Sequence, residues 1–209
     1  MTNSSIVIDG FNISYEYVLF TNVLIEDSKF ENFIFTHGSF MNMLVKNASR
    51  VNGLYLRSNF HSIDESGNSF KNVGLSEVNM MGISFAGAKF FNVSINNSNL
   101  REITFEGAEI ENVLIENTNF QGITFKNAKI KNSIINGNMN EVDIEGATFE
   151  NVYVNGKKFK GEEKKRKHDG GIVFLLDDLF KNEKRHYWLS QQINPYKNYC
   201  YNRSVKIIL

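Results

Sequence analysis

The sequence predicts an all-β solenoid: a four-sided parallel β-helix of about seven coils, followed by a short α-helical C-terminal tail. Three observations predict it. Every fifth residue from Phe20 to Ile135 is apolar or aromatic at 22 of 24 positions, where the overall hydrophobic content of 42% would give about 10. Two residues after each of these lies Asn, Asp or Gly, at 19 of 24 positions. A second period of twenty residues is superimposed. Ala88, Ala108 and Ala128 recur at that spacing, as do Ile83, Ile103 and Ile123, and Asn92-Val93-Ser94-Ile95 with Asn112-Val113-Leu114-Ile115.

Each position of the five-residue unit has a physical reason. The period is neither 3.6 nor 2, so the segment is neither an amphipathic helix nor an ordinary alternating strand. Asn and Gly tolerate positive φ and suit a tight turn every five residues. The central column takes Phe, Ile and Leu, and holds 11 of the 18 Phe residues. Two residues earlier the side chains are small or β-branched, as at Ala88, Val93, Ser98 and Ile103. Four units close one coil, and coils stack at about 4.8 Å. The 29 Asn and 18 Phe residues are thereby mostly architectural. Ile6 to Tyr17 is apolar enough to begin the helix or cover its first coil. The register slips by one between Ile135 and Ile144; the repeat then runs through Phe149 and Val154 to Phe159.

The twenty-residue period also places charges above one another. Lys89, Glu109 and Lys129 form one column; Glu106, Lys126 and Glu145 a second; Glu111, Lys131 and Glu150 a third. Signs alternate, so the exterior is expected to pair with itself. Exposed pairs of this kind contribute little each.

Arg50 and Glu65 break the central column. An unpaired buried charge is strongly destabilising. The expectation is a bulge or loop over residues 49–67 that turns both outward, with a buried Arg50–Glu65 pair as the alternative. Ser58, Asn59, His61, Ser62 and Ser66 make this stretch polar. Arg50, Arg57, His61 and Glu65 are therefore a candidate binding loop.

The chain divides into the β-helix (1–160), a charged linker (161–171) and a helical cap or tail (172–209). The basic run Lys164 to Lys167 lies in the linker. The apolar stretch 172–180 is interrupted by Asp177 and Asp178, and helical character ends before Pro195. The tail is expected to cap the last coil, or alternatively to make a dimer. Phe174, Leu175, Leu179 and Trp188 are the candidate tail interface.

Composition excludes several classes. One Cys rules out a disulfide scaffold and a thiolate zinc site. Cys200 is read as an unreactive packed thiol. His37, His61, His168 and His186 lack metal-ligand spacing. No phosphate loop, catalytic triad or carboxylate constellation is present, so neither catalytic residues nor cofactor nor metal are expected. There is no apolar run long enough to span a membrane, and Met1 to Phe20 lacks the features of a secretory signal. Net charge is zero: −4 over residues 1–160 (17 acidic, 13 basic) and +4 over 161–209. No nucleic-acid partner is expected.

The pattern resembles the pentapeptide-repeat family, whose members fold as right-handed quadrilateral β-helices. The resemblance covers residues 13–159. Phe and Ile fill the central column here, where the commonest family consensus is richer in Ala-Asp/Asn-Leu. The resemblance implies a non-enzymatic scaffold that binds a protein partner through its outer surface, as a monomer or a dimer through the tail. It also implies an effector-like protein of an enteric bacterium, cytoplasmic in the producing cell or secreted into host cells. Two alternatives accompany it. Some family members protect DNA gyrase or topoisomerase by imitating DNA, which requires a long, mostly acidic surface. In addition, Ile172-Val173-Phe174-Leu175-Leu176-Asp177-Asp178-Leu179 is similar to a junction in effectors that carry HECT-like ubiquitin ligases, which would make the chain the targeting domain of a truncated ligase. Cys200 does not match a ligase nucleophile.

Overall fold

The computed structural model describes residues 5–6 and 9–159. Within them the chain winds as a parallel β-solenoid of about seven turns. Short strands pair with strands twenty residues away. Phe70 pairs with Phe90, Phe90 with Ile110 and Ile110 with Ile130. Pairing begins as early as Ser5 with Leu24, so the N-terminal stretch is itself part of the first coil.

Four faces result, named here by their inward columns. The first carries Phe40, Phe60, Met80, Leu100 and Phe120. The second carries Ile25, Val45, Glu65, Phe85, Phe105 and Phe125. The third carries Phe30, Arg50, Phe70, Phe90, Ile110 and Ile130. The fourth carries Phe35, Tyr55, Leu75, Ile95, Ile115 and Ile135. Aromatic rings stack along the axis, for example Phe70 on Phe90 at 4.9 Å and Phe105 on Phe125 at 5.0 Å. Full burial of each such side chain is worth about 1.5–3 kcal/mol.

The turn residues behave as their type requires. At the corner between the third and fourth faces, Asn12, Asn32, Asn52, Asn72, Asn92, Asn112, Asn132 and Asn151 all have positive φ. Their side-chain amides bond from coil to coil, as in Asn52 to Asn32 (3.0 Å) and Asn72 to Asn52 (2.8 Å). Asn thus supplies both the left-handed backbone and a hydrogen-bonded ladder. Buried hydroxyls close further gaps. Ser58 Oγ donates to Leu56 O and accepts from Gly38 N, and Ser98 repeats this with Asn96 O and Val78 N.

Two glycines are dictated by close approach. Phe33 occupies a column otherwise held by small or β-branched residues, and its ring fills the space that a Cβ on Gly53 would take. Gly53→Ala is expected to destabilise the protein by about 1–3 kcal/mol through overpacking, with Phe33→Leu restoring most of it in urea melts of the double variant. Gly137 lies where the register shortens from twenty residues to nineteen: Ile115 pairs with Ile135, but Thr118 with Gly137. The sequence places this slip correctly. Gly137 does not take positive φ; a Cβ there would strike the Thr118 carbonyl.

The C-terminal end departs from expectation. After the strand Val152–Val154 the chain reverses at Asn155 and Gly156, both at positive φ. Lys157–Phe159 then runs antiparallel to it. Phe159 packs edge-on against Phe149 at 4.7 Å and lies over part of the last coil. The repeat therefore ends in a hairpin rather than in another parallel unit. The linker, the helical tail with Phe174, Leu175, Leu179 and Trp188, and Cys200 lie outside the described residues.

Candidate interaction ridge

Among the described residues the interior is filled by side chains. The best-defined cavity among the described residues has a volume of about 20 Å³ and is lined by Phe90, Phe105, Phe125 and other apolar side chains, with Ser133 the one polar residue. It has room for about one water.

The expected bulge over residues 49–67 is absent. Ser49–Leu56 and Asn59–Asp64 are regular strands in register with the coils on either side. Arg50 and Glu65 point inward, at 4% and 8% exposure, and their salt bridge measures 2.5 Å. The reason is shape. The flat guanidinium replaces one ring in the Phe column and lies 5.9 Å from the Phe30 centroid and 4.9 Å from that of Phe70. Arg50 Nε donates to Tyr55 Oη at 3.0 Å. Asn68 occupies the small-residue column where Ala88 and Ala108 sit elsewhere. Its Nδ2 donates to Glu65 Oε2 and Val45 O, and its Oδ1 accepts from Ala48 N. This is a polar plug in the core, and Arg50 and Glu65 are withdrawn from a surface binding loop.

Burial pushes the Glu65 carboxyl up, against the opposing pull of Arg50; Glu65 holds Arg50 protonated against its own desolvation. A carboxyl whose folded pKa is raised contributes stability below its unfolded pKa and loses it as pH rises through the folded value. The stability of wild type relative to Glu65→Gln should therefore decline as pH rises above the ordinary carboxylate range, read from paired urea melts across that window.

Arg57 and His61 are outside. His61 is exposed on the first face, with Nδ1 3.0 Å from Ser62 Oγ. Arg57 belongs to a feature that the loop assignment did not contain. At the corner between the fourth and first faces, successive coils place Tyr17, His37, Arg57 and Glu77 at φ 58, 54, 50 and 54. From there the same corner continues as Asn97 and Asn117. The left-handed region costs a residue with Cβ roughly 1–2 kcal/mol, and bulky residues there are outliers. Four consecutive coils thus carry backbone strain at this corner; the corner between the first and second faces carries it at Ser62, Glu102 and Glu141, with glycine between them at Gly82 and Gly122.

The strained side chains form two pairs along the corner, with Tyr17, Arg57 and Glu77 exposed and His37 half-buried. Tyr17 lies on His37 with centroids 4.9 Å apart, and Arg57 Nε donates to Glu77 Oε2 at 2.8 Å. Tyr17 is 73% exposed and Leu19, two residues on, 67%. Phe11 and Ile34 are exposed on the same coils. An aromatic and charged ridge with apolar flanks is the composition that protein interfaces favour.

Elsewhere the outer faces carry ion pairs between neighbouring coils. Lys89 and Lys129 flank Glu109 at 3.5 and 3.6 Å, Lys131 meets Glu150 at 3.1 Å, and Lys126 meets Glu145 at 3.3 Å. These are the columns that the twenty-residue period places together. All are largely exposed, so their individual worth is small.

Five-residue sides, corners at positive φ and a twenty-residue parallel register together decide the architecture. This is the pentapeptide-repeat fold. No family model and no curated protein matches the chain. Among solved pentapeptide-repeat structures, full-length QnrB1, a plasmid-mediated fluoroquinolone resistance protein, is 16% identical over 68% of this chain and 93% of its own, with a TM-score of 0.35. Rfr23 from the cyanobacterium Cyanothece 51142 is 15% identical over 68% of this chain and 88% of its own, at 0.30. HetL from Nostoc sp. strain PCC 7120, involved in heterocyst differentiation regulation, is 11% identical over 68% and 87%, at 0.18. At these scores the likenesses carry no functional reading. Among the described residues no helix is long and apolar enough to cross a membrane, and no group of three or more His, Cys, Asp or Glu side chains is placed to hold a metal ion.

Proposed function

We propose that this pentapeptide-repeat solenoid is a non-enzymatic scaffold that binds a protein partner through the corner ridge of Tyr17, His37, Arg57 and Glu77. The single observation that supports this reading is the left-handed strain at four consecutive coils. Strain held at exposed side chains is retained where those side chains do something, because Asn at the same positions would relieve it. An aromatic pair beside an Arg is suited to anchor a protein surface. The filled interior of the described solenoid supports a non-catalytic reading, because its best-defined cavity has room for about one water.

An effector-type role in a host cell is the finer form of this proposal and rests on the resemblance of the repeat and of segment 172–179. Gyrase protection by DNA imitation is not favoured: in three columns acidic side chains alternate with bridging Lys, which interrupts an anionic rail there. The test is capture of partners from bacterial and host lysates by the wild type and by Tyr17→Asn/His37→Asn/Arg57→Asn. A partner retained by the wild type and lost from the variant supports the ridge. Equal capture by both moves the binding surface elsewhere, and protection of gyrase in a supercoiling assay would establish the alternative.

A further inference from the structure

The first face carries an outward column in which Met41, His61 and Met81 follow one another on three consecutive coils. Strand alternation sends Phe40, Phe60 and Met80 inward and so turns these three toward solvent. His61 is exposed, Met81 is 36% exposed and Met41 is half-buried. Methionine is ordinarily an interior residue. The others obey that rule: Met43 and Met80 are buried in the core, and Met139 packs against it. Among the described residues, the two methionines that face outward are thus the two that flank His61.

The imidazole has a fixed partner. His61 Nδ1 lies 3.0 Å from Ser62 Oγ. With the ring proton on Nδ1, this bond fixes the tautomer and leaves the Nε2 lone pair for another partner. Metal-bound histidines are held in the same way, by a second hydrogen bond on the far ring nitrogen. Ser62 makes the contact from φ 53, at a corner where the neighbouring coils place Asn42 and Gly82. The left-handed backbone costs Ser more than Gly, and the hydroxyl is what Ser adds. Coils lie about 4.8 Å apart, and methionine is long and flexible enough to reach a common atom from either side of the ring. Arg101, next above Met81, is turned to Glu102 at 3.1 Å.

We propose that Met41, His61 and Met81 form a site for one soft, singly charged metal ion, Cu(I), held by the two thioether sulfurs and His61 Nε2, with Ser62 positioning the ring. The donors select the ion. Thioethers are soft ligands that suit Cu(I), and imidazole suits copper as well. Zn²⁺ is bound by thiolate, imidazole and carboxylate, and Ca²⁺ and Mg²⁺ by oxygen; a methionine offers none of these. All three donors are neutral, which suits a singly charged ion better than a doubly charged one. Spacing along the chain hides the site, because the three residues are twenty apart and only the coil register brings them together.

Anaerobic titration of the full chain with Cu(I), in competition with a colorimetric Cu(I) chelator, tests this. Cys200→Ser serves as the parent throughout, because a free thiol also binds Cu(I). The parent should bind about one equivalent at this site. Loss of a ligand should cost no less than the roughly tenfold to hundredfold of a lost outer partner. Met41→Leu/Met81→Leu, a swap that cores and surfaces tolerate, should therefore bind at least about tenfold more weakly, and so should His61→Gln. Ser62→Gly should also weaken binding about tenfold, although its urea melt should be no lower than the parent's. Met43→Leu, inside the core, should leave binding unchanged. In carbon–proton spectra, the methyl signals of Met41 and Met81 should shift on addition of Cu(I) while those of Met43 and Met80 stay in place. No Cu(I) bound by the parent, or equal affinity in the parent and the Met41/Met81 variant, overturns the proposal. So does tighter binding of Zn²⁺ than of Cu(I), lost in His61→Gln and indifferent to the two methionines. None of these outcomes depends on the corner ridge, so failure here leaves the proposed function standing, and the converse holds.

Discussion

Glu65→Ala is expected to lower stability by about 3–5 kcal/mol at neutral pH. Removing the carboxylate leaves the Arg50 cation buried between Phe30 and Phe70 with Tyr55 Oη as its remaining side-chain acceptor. An arginine cannot relieve this by losing its proton. Arg50→Phe should be milder, because Glu65 can take up a proton and its carboxyl is already pushed up by burial. The combination Arg50→Phe/Tyr55→Phe/Glu65→Val restores the column its neighbours predict and should recover wild-type stability or exceed it by about 1–4 kcal/mol. Asn68 would keep its bonds to Val45 O and Ala48 N. Urea melts of the three proteins decide the order. A single variant as stable as wild type would show that the plug does not hold a desolvated ion pair.

The second large effect has the opposite sign for stability and for binding. Tyr17→Asn/His37→Asn/Arg57→Asn replaces three strained corner residues with the type found at Asn97 and Asn117 of the same corner. Relief of left-handed strain should stabilise by about 1 kcal/mol per site at most. Loss of the Tyr17–His37 stack and the exposed Arg57–Glu77 pair offsets part of this. A net gain of about 1–2 kcal/mol corresponds to a rise in Tm of roughly 2–8 °C for a chain of this size. The same variant should lose its partner. Stabilisation with loss of function is the signature of a strained binding site; a fall in stability would mean that the four residues serve the fold.

The architecture was legible in the sequence because each five-residue unit repeats one physical solution: an inward Phe or Ile, a small neighbour, a corner Asn. The charge columns and the one-residue slip near Gly137 follow from the same arithmetic. The polar plug was legible only as an alternative. That Arg50 and Glu65 lie on adjacent faces can be counted, but that a guanidinium fits between two Phe rings is a matter of shape. Asn155-Gly156 is a hairpin dipeptide, and its signal was overridden by the apparent continuation of the repeat to Phe159.

The ridge left a trace that composition hid. His37, Arg57 and Glu77 interrupt the Asn-rich corner column at intervals of twenty residues. Taken singly they look like tolerated substitutions; stacked in space at positive φ, they form one feature.

The central claim is that the corner ridge is the partner-binding surface. Quantitative mass spectrometry of proteins captured by wild type and by Tyr17→Asn/His37→Asn/Arg57→Asn, at matched concentration and with both folded by their melts, tests it most directly. At least one protein should be depleted about tenfold or more from the variant, equivalent to 1.4 kcal/mol or more of binding free energy. Indistinguishable captured sets would contradict it.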